Sequence, residues 1–383
     1  MSDRETFGPN ENADVIVIGG GVIGLSIARE LVLRGVPEVM LIERSRLGAE
    51  ASSAAGGILA PQVESDHSDE FFRLACASRD MYPEFAAALR EETGLDVELD
   101  KTGTLYLGLT AQDEEEMRSR YEWQTSEGLC VEQLTGDEAR RLETNLSENI
   151  ICALRFPNDF QIENRRLIAA LVNANEKLGV RIITDCNVNA IRRVAERVCG
   201  VETSAGFVSA ATVVVSAGAW SSFIQSVLPP IDIEPVRGQM LCFEAKSQIT
   251  RYVMYSSRGY LVPRRDGRLL AGSTSEHVGF DKSITEEGIS KIKSMAIEVV
   301  PALKQIPVVD SWAGFRPRAK DDLPVLGASE TVRGLFFATG HYRNGILLAP
   351  ITGKVIAQAI IDGVMPANLR AFAPNRFSNL IAA

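Results

Sequence analysis

The stretch ADVIVIGGGVIGLSIARELVLRG, residues 13–35, decides the fold class of this chain. Residues 14–18 form a continuous apolar run, which is the pattern of a strand buried on both faces of a parallel sheet. Residues 22–34 carry apolar side chains at helical spacing, and Gly35 follows as a common helix terminator. Because residues 39–42 form a second apolar run, the sequence predicts a βαβ unit and hence an α/β sheet.

The glycines between the first strand and the first helix fit a dinucleotide-binding fingerprint. GGGVIG at residues 19–24 matches GxGxxG, and an acidic residue, Glu43, stands at the end of the next strand. Gly19 permits the tight turn, Gly21 lets the backbone approach a pyrophosphate, and Gly24 allows close packing of helix and strand. The helix N-terminus offers free N–H groups to the phosphates, and Glu43 can accept hydrogen bonds from a ribose.

The segment ERSRLGAEASSAAGGILAP, residues 43–61, favours FAD over NAD as the dinucleotide. It is small, polar and glycine-rich between residues 48 and 57, so its backbone can pass close to a second large group. Ser52 and Ser53 offer hydroxyls to a pyrophosphate. A flavin extended across the domain suits this segment, whereas a nicotinamide cofactor does not need it. We find no second GxGxxG between a strand and a helix, which disfavours a nicotinamide-dependent reductase.

Composition excludes several other classes of protein. The chain has 383 residues, of which 45% are hydrophobic and 23% charged, as expected of a globular protein of two domains. Its net charge of −10 disfavours nucleic-acid partners, whose phosphates demand a basic surface. The six cysteines show no CxxC pair and the three histidines lie far apart, so we expect no metal site.

The start of the chain indicates a cytoplasmic protein. Residues 1–12 are polar and do not resemble a secretion signal. The most apolar stretch, residues 13–28, is broken by glycines and is shorter than the ~20 residues that a bilayer span needs. We therefore expect no integral membrane segment.

The remaining segments predict a discontinuous domain with a second domain inserted into it. We expect three further strands of the first sheet at residues 181–185, 211–216 and 335–338. The other predicted elements are a strand pair at 96–109, a helix at 111–127, a β-rich region at 236–275 and a helix at 284–303. The fold class is therefore α/β, with a Rossmann-like FAD-binding domain and an inserted α+β substrate-binding domain whose sheet is largely antiparallel. The predicted bounds are 1–95, 150–235 and 310–383 for the FAD-binding domain, and 96–149 and 236–309 for the substrate-binding domain.

Four segments carry a resemblance to a known family: DVIVIGGGVIGLSIA at 14–28, SSAAGGILAP at 52–61, WAGFRPRAKDDLPVLG at 312–327 and GHYRNGILLAPITG at 340–353. They are similar to the D-amino-acid oxidase superfamily of FAD-dependent flavoproteins and, within it, to the glycine oxidases of the thiamine pathway. The resemblance implies non-covalent FAD, a homotetramer, and dioxygen as the electron acceptor. It also implies oxidative deamination of glycine, sarcosine or a small D-amino acid by hydride transfer from Cα to flavin N5. The products would be glyoxylate or another oxo acid, ammonia and hydrogen peroxide.

The resemblance further implies which residues contact FAD. The expected contacts in the first half of the chain are Val22, Ile23, Glu43, Arg44, Ala51, Ser52, Gly56, Gly57, Ile58 and, through its backbone to the adenine, Val188. The expected contacts on the pyrimidine side of the flavin are His341, Tyr342, Arg343, Asn344, Gly345, Ile346 and Leu347. A helix from Ile351 would point its N-terminus towards the flavin. His341 is expected to contact the flavin and not to accept a proton.

Four residues are predicted to bind the substrate. Two arginines, Arg316 and Arg343, lie where the resemblance places substrate contacts. A guanidinium binds a carboxylate through two parallel hydrogen bonds, and we expect Arg316 to form this clamp while Arg343 reaches the substrate from the flavin side. Both arginines could instead form interdomain salt bridges. By resemblance Tyr260 helps to hold the carboxylate, and Arg258 would share its face of the strand, where relatives have a histidine. No catalytic base is expected, because the substrate can bind as a neutral amine.

Two other functions stay open at this point. A D-amino-acid dehydrogenase would share the cofactor residues and pass its electrons to a quinone or another acceptor than dioxygen. A flavin-binding module without turnover would keep the glycines and lose the substrate arginines. Arg316, Arg343 and Tyr260 are present, which disfavours the second possibility.

Overall fold

The structure, a computed structural model, describes residue 7, residues 11–227 and residues 231–380. Within these residues the chain forms two eight-stranded sheets and a two-stranded pair. The strands are β1 (Asn12–Ile18), β2 (Val39–Ile42), β3 (Ile58–Leu59), β4 (Thr104–Gly108), β5 (Glu132–Thr135), β6 (Cys152–Phe156), β7 (Phe160–Gln161), β8 (Arg181–Ile183), β9 (Val188–Val194), β10 (Arg197–Thr203), β11 (Gly206–Val215), β12 (Ile233–Glu244), β13 (Val253–Ser256), β14 (Gly259–Pro263), β15 (Arg268–Gly272), β16 (Val308–Ala319), β17 (Val325–Ala328) and β18 (Leu335–Thr339). The helices are α1 (Val22–Leu33), α2 (Ala51–Ala54), α3 (Pro61–Glu64), α4 (Glu70–Thr93), α5 (Ala111–Ser126), α6 (Gly136–Leu142), α7 (Asn164–Lys177), α8 (Glu286–Val299) and α9 (Gly345–Asp362).

The first sheet has the parallel centre that the βαβ pattern predicts. Its order is β17-β18-β11-β1-β2-β8, with β9 and β10 attached to β11, and β1 runs parallel to both of its neighbours. Alternate side chains of β1 enter two different cores: Val15 and Val17 pack on one face, and Ile16 and Ile18 on the other. Because both faces are covered there, the strand is apolar at every position from Val15 to Ile18. The predicted α/β fold class is confirmed, as is the Rossmann-like character of this sheet.

The second sheet is largely antiparallel, with the order β16-β12-β15-β14-β13-β4-β6-β5. Only β13 and β4 pair in parallel among its described neighbours. Helix α8 covers one face of this sheet through Ile292 and Met295. The other face carries Met240, Val262 and Leu270, which share a core cluster with Val63 of α3 and Met117 of α5.

The predicted division into two discontinuous domains stays a proposal, and membership of the sheets corrects two of its bounds. The bound at 150 assigned β6 to the FAD-binding domain, but β6 pairs with β4 and β5 of the second sheet. The bound at 310 did the same for β16, which pairs with β12 of the second sheet from Val308 to Ala319. Hydrogen bonding between strands distant in sequence decides these bounds, and composition alone does not reveal it.

Several predicted elements differ in extent from the structure, three of them as follows. Residues 96–109 contain one strand, β4, and not a pair, because Glu98 and Gly103 adopt the left-handed backbone conformation that interrupts an extended run. The helix expected at 284–303 is α8, which ends at Val299; a 3-10 turn begins at Pro301, whose missing N–H removes a helical hydrogen bond. Helix α9 begins at Gly345 and not at Ile351.

The early start of α9 depends on how the helix accommodates Pro350. This proline has no N–H to donate to the carbonyl of Ile346, four residues earlier. The Tyr82 hydroxyl of α4 donates to that carbonyl instead, and the Ser78 hydroxyl donates to the next one, on Leu347, at 2.6 Å. The helix can therefore run through the proline. Of the described helices, α9 alone is long and apolar enough to cross a membrane, and 61% of its apolar window is buried in the protein, as in a core helix.

Candidate active site

A cavity lies between the two sheets and is lined by residues of both. One end meets the carboxyl ends of the parallel strands β1, β2, β11 and β18, where open α/β sheets bind their ligands. The other end is formed by β12, β14 and β16 of the second sheet. The predicted cofactor and substrate residues that line it are Gly19, Gly21, Val22, Ile23, Glu43, Arg44, Ala51, Ser52, Gly56, Gly57, Ile58, Val188, Tyr260, Arg316, His341, Tyr342, Arg343, Asn344, Gly345 and Ile346.

Two glycines of the fingerprint are required by their own surroundings. Gly19 has a φ of +107°, and a Cβ there would lie 2.5 Å from the carbonyl oxygen of Ser216. A Cβ on Gly24 would lie 1.9 Å from the carbonyl oxygen of Gly19. Gly24 therefore packs α1 against the strand, as its predicted role requires, and it does not itself line the cavity.

The third glycine and a neighbouring serine form the wall at the start of α1. A Cβ on Gly21 would stand 3.3 Å from the Ser52 hydroxyl, and that hydroxyl accepts the Val22 N–H at 3.0 Å. Ser52 thus lies at the helix N-terminus, as predicted for a residue near the phosphates. Ser53 does not, because its hydroxyl donates to the carbonyl of Glu50 and its side chain points out of the cavity. Its predicted contact with a pyrophosphate is wrong.

The Glu43 carboxylate is fixed at the end of β2 by backbone donors. One oxygen accepts the Gly20 N–H at 2.7 Å, and the other accepts the Ser45 N–H at 2.9 Å. A carboxylate can accept about four hydrogen bonds, so lone pairs remain for ribose hydroxyls. Arg44, the next residue, stacks its guanidinium 3.6 Å from the ring centre of Trp220.

The glycine-rich loop at Gly56 and Gly57 is held by a buried arginine that the sequence did not single out. Gly57 has a φ of +73°, and a Cβ on it would lie 2.0 Å from the carbonyl oxygen of Ile162. Arg264 donates to the Gly56 carbonyl at 2.8 Å and to the Ile162 carbonyl at 3.2 Å. Burial lowers the pKa of Arg264. Arg264 begins the sequence RRDG, residues 264–267, between β14 and β15, a segment that was predicted only as part of the β-rich region.

His341 is a buried, neutral side chain in the wall of the cavity. Its Nε2 lies 3.1 Å from the Thr352 hydroxyl of α9, and burial lowers its pKa to about 3. The first turn of α9, at Gly345 and Ile346, also lines the cavity. Leu347 is buried in the core beneath that turn and does not line the cavity, so its predicted contact with the flavin is not reproduced. Among the described residues, no group of His, Cys, Asp or Glu is arranged to hold a metal ion.

Arg316 points into the other end of the cavity without an acidic partner. It donates to the carbonyl of Thr274 at 3.0 Å and to the hydroxyl of Ser273 at 2.6 Å, both neutral acceptors. No carboxylate of the described residues forms a salt bridge with it. The opposite strand leaves room for the guanidinium, because a Cβ on Gly238 would lie 2.4 Å from its nitrogens. The full positive charge of Arg316 is thus available to an anionic ligand.

Arg343 is different, because Glu64 already neutralises it. Glu64 lies at the end of α3, and its carboxylate accepts from Arg343 at 3.2 Å and from the Tyr255 hydroxyl at 2.5 Å. The Glu64 carboxylate is the main cause that raises the pKa of Arg343. Burial, and then the same carboxylate, raises the pKa of Tyr255. Neither Glu64 nor Tyr255 was predicted, although both line the cavity.

Tyr260 lies in the cavity with its hydroxyl weakly engaged, and Arg258 lies outside it. The Tyr260 hydroxyl is 3.3 Å from the sulfur of Met240, a poor acceptor, so it can turn to a better one. Arg258 pairs with Glu298 of α8 at 2.6 Å and is half-exposed. Its predicted contact with the substrate is wrong. The alternation of faces holds only inside a strand, and Arg258 belongs to the turn that precedes β14.

Comparisons with known proteins agree with this geometry. Residues 14–359 match the family described as DAO, FAD dependent oxidoreductase. The chain is 35% identical to the glycine oxidase of Geobacillus kaustophilus over 91% of its own length and 92% of that relative. It is also 35% identical to the bifunctional protein ThiO/ThiG of Trichormus variabilis over 95% of its own length, but it spans only 55% of that longer protein.

Solved structures give the same result. The crystal structure of glycine oxidase from Geobacillus kaustophilus matches with a TM-score of 0.90 and 33% identity, over 95% of this chain and 98% of that one. The L-proline dehydrogenase from P. horikoshii matches with a TM-score of 0.86 and 23% identity, over 97% and 99% of the two chains. At that identity the second match establishes a shared fold alone.

Proposed function

Because this chain belongs to the DAO family of FAD-dependent oxidoreductases, we propose that it is a glycine oxidase. The family and the FAD cofactor that the sequence predicted are confirmed by these matches. The proposed substrates are glycine and, besides it, sarcosine or small D-amino acids. The proposed products are glyoxylate or the corresponding oxo acid, ammonia and hydrogen peroxide.

The lining of the cavity fits FAD. A dinucleotide needs close approach of the backbone, and the cavity supplies it at Gly21 and Gly57, where no Cβ intervenes. The N-terminus of α1 offers its N–H groups to the phosphates, and Glu43 has lone pairs left for the ribose. His341, Gly345 and neighbouring residues would hold the flavin ring from the start of α9.

The chemistry that FAD supplies when bound is acceptance, at flavin N5, of a hydride from the substrate Cα and delivery of the electrons to dioxygen. The protein residues therefore need to bind and orient the substrate. An orientation fixed through the carboxylate lowers the entropic part of the barrier, because the reacting carbon no longer has to find its position.

The observation that carries the proposal is the unpaired guanidinium of Arg316. We assign the bidentate contact with the substrate carboxylate to this residue, because its present partners are neutral. Arg343 is already paired with Glu64 and contributes less net charge. The Tyr260 hydroxyl, which has only a sulfur as its partner, is assigned a second hydrogen bond to the same carboxylate.

No side chain of the site is assigned the role of a strong base. His341 is buried and has a pKa of about 3, so it stays neutral at any ordinary pH and remains bonded to Thr352. Burial holds the pKa of Tyr255 above its usual value, so its hydroxyl stays protonated and bonded to Glu64. The substrate is therefore expected to bind as the neutral amine, with its own nitrogen lone pair assisting the loss of hydride.

A role in the synthesis of the thiamine thiazole is also proposed. It rests on relatives in which a ThiO part is fused to a ThiG part, of which this chain matches about half. Glycine oxidised to the imine would supply that step. The homotetramer and the cytoplasmic location predicted from the sequence remain predictions.

The experiment that tests the proposal is peroxide production in air by the purified holoenzyme, with glycine, sarcosine, D-alanine and D-proline compared at equal concentrations. Peroxide with glycine as a good substrate is the expected result. Without peroxide, bleaching of the flavin by D-amino acids and recovery with a quinone would contradict the oxidase assignment. That result would establish the D-amino-acid dehydrogenase as the correct alternative.

A further inference from the structure

The connection between β15 and α8, residues 273–285, joins the two ends of the cavity. It has no helix of its own, and it leaves the second sheet directly after Gly272. Its first residues, Ser273 and Thr274, accept the hydrogen bonds of Arg316 at the substrate end. Its later residues contact side chains that line the cofactor end. We call residues 273–285 the clasp.

The first contact of the clasp with the cofactor end is aromatic. The ring of Phe280 lies 5.2 Å from that of Trp220 and 5.4 Å from those of Phe223 and Phe315, measured between ring centres. Those three residues all line the cavity, whereas Phe280 stands behind them. Tilted and edge-to-face pairs at such distances attract one another beyond the burial of their surface. Phe280 thus supports the aromatic wall from outside.

The second contact is a chain of charges. The Lys282 amino group lies 2.7 Å from the carboxylate of Glu50, and the other oxygen of Glu50 accepts from Arg44 at 3.0 Å. Arg44 in turn stacks on Trp220 at 3.6 Å. Lys282 is therefore tied, through Glu50, to the residue that follows Glu43 at the ribose end of the site.

A buried arginine of the second sheet fixes the shape of the clasp. Arg237 donates to the carboxylates of Glu276 at 2.5 Å and Asp281 at 3.0 Å, and to the carbonyl of Ser283 at 3.0 Å. These contacts bracket Phe280 and Lys282 on both sides along the chain. Phe280 and Lys282 are therefore held in place by contacts of Arg237 with residues on either side of them.

We propose that the clasp retains FAD, with Phe280 and Lys282 as its positioning residues. FAD that leaves the cavity has to displace Trp220 and Arg44, and the clasp holds both residues from the side of the second sheet, Trp220 through Phe280 and Arg44 through Glu50. The contact of Lys282 with Glu50 is a partly exposed ion pair and is weakened by salt. Release of FAD is therefore expected to depend on ionic strength through this pair. The inference rests on FAD as the cofactor and is independent of which substrate is oxidised.

The test is the rate of FAD release from the holoenzyme after dilution, followed by the rise in fluorescence of free FAD at low and at high KCl. Lys282→Ala is expected to release FAD roughly two to five times faster at low salt, in the range measured for exposed ion pairs. Its rate is expected to respond to KCl much less than that of the wild type. Phe280→Ala is expected to release FAD about tenfold faster at both salt concentrations, because several aromatic pairs are lost.

Matched controls separate this role from a general loss of stability. Phe207→Ala removes a ring of similar exposure, 44% against 39% for Phe280, from the far end of β11. Lys291→Ala removes a lysine paired with Glu287 on the surface of α8. Both controls are expected to retain FAD like the wild type. Release at the wild-type rate by Lys282→Ala and Phe280→Ala, or an unchanged response to salt, would overturn the proposal whether or not glycine proves to be the substrate.

Discussion

The two ends of the cavity depend on different kinds of atoms, backbone atoms at the cofactor end and side-chain atoms at the substrate end. At the cofactor end the decisive atoms are backbone atoms, and Gly19 and Gly57 matter because a Cβ would collide there. At the substrate end the decisive atoms belong to side chains, namely those of Arg316 and Tyr260, carried by β16 and β14. Substitutions that add atoms are therefore expected to impair the cofactor end, and substitutions that remove atoms are expected to impair the substrate end.

The largest effect is expected from adding one methyl group at the cofactor end. Gly19→Ala should weaken the binding of FAD roughly a hundredfold or more, because the backbone is strained and the Ser216 carbonyl has to move. The matched control is Gly94→Ala, because Gly94 also has a positive φ, +77°, but a Cβ there would meet nothing within 4 Å. Titration of the apoprotein with FAD measures both. Equal affinities of the two variants for FAD would contradict the claim that collision of an added Cβ controls the cofactor end.

The second largest effect is expected from removing the guanidinium at the substrate end. Arg316→Ala should raise the KM for glycine about a hundredfold or more, since charge-assisted hydrogen bonds contribute ~1.5–3 kcal/mol each. The variant should remain yellow and loaded with FAD. Arg258→Ala is the control, because that arginine pairs with Glu298 outside the cavity. If Arg316→Ala lost its FAD, or Arg258→Ala raised KM equally, the assignment of Arg316 to the substrate end would be wrong.

A third prediction concerns the pH dependence of stability at the cofactor end. In the unfolded chain His341 takes up a proton below pH ~6.5, whereas in the folded protein its pKa is about 3. The unfolded state therefore binds more protons in this range, and stability falls as the pH decreases. From about pH 7 to about pH 5 the free energy of unfolding should fall ~2 kcal/mol more in the wild type than in His341→Gln. Urea denaturation at the two pH values measures the difference. Equal losses of stability in the wild type and in His341→Gln would mean that His341 is not buried as a neutral imidazole.

The smallest effect is expected from the removal of one hydroxyl at the substrate end. Tyr260→Phe should raise the KM for glycine about fivefold with little change in kcat, as the loss of one ordinary hydrogen bond predicts. Tyr106→Phe, a tyrosine of β4 in the same sheet that does not line the cavity, should leave KM unchanged. Steady-state kinetics of both variants distinguish a hydroxyl that binds substrate from one that merely packs.

The same contrast explains how much the sequence could predict. The fingerprint glycines and Glu43 lie within 25 residues of one another, so their spacing along the chain fixes their spacing in the fold. Local context was sufficient there, and it also predicted β1, α1 and β2 closely. Arg316, Tyr260 and Arg343 came from the family resemblance, because no local pattern distinguishes a substrate arginine from a surface one.

The errors have local or long-range causes. Arg258 was misplaced because the strand was extended backwards through a turn, although the sequence SSRG at 256–259 is typical of turns. The start of α9 was set after Pro350 because the compensating Tyr82 hydroxyl lies far away in sequence. Glu64 and Tyr255 were missed for the same reason: they meet across 191 positions, and neither carries a signal of its own.

The most direct test of the account is anaerobic reduction of the bound FAD by glycine, followed by the loss of visible absorbance in the wild type and in Arg316→Ala. We expect glycine to bleach the flavin of the wild type, and the variant to reach the same final bleaching only at far higher glycine concentrations. A wild-type flavin that glycine does not reduce would contradict the proposed activity. A variant reduced at the same glycine concentrations as the wild type would contradict the assignment of Arg316 as the residue that binds the substrate carboxylate.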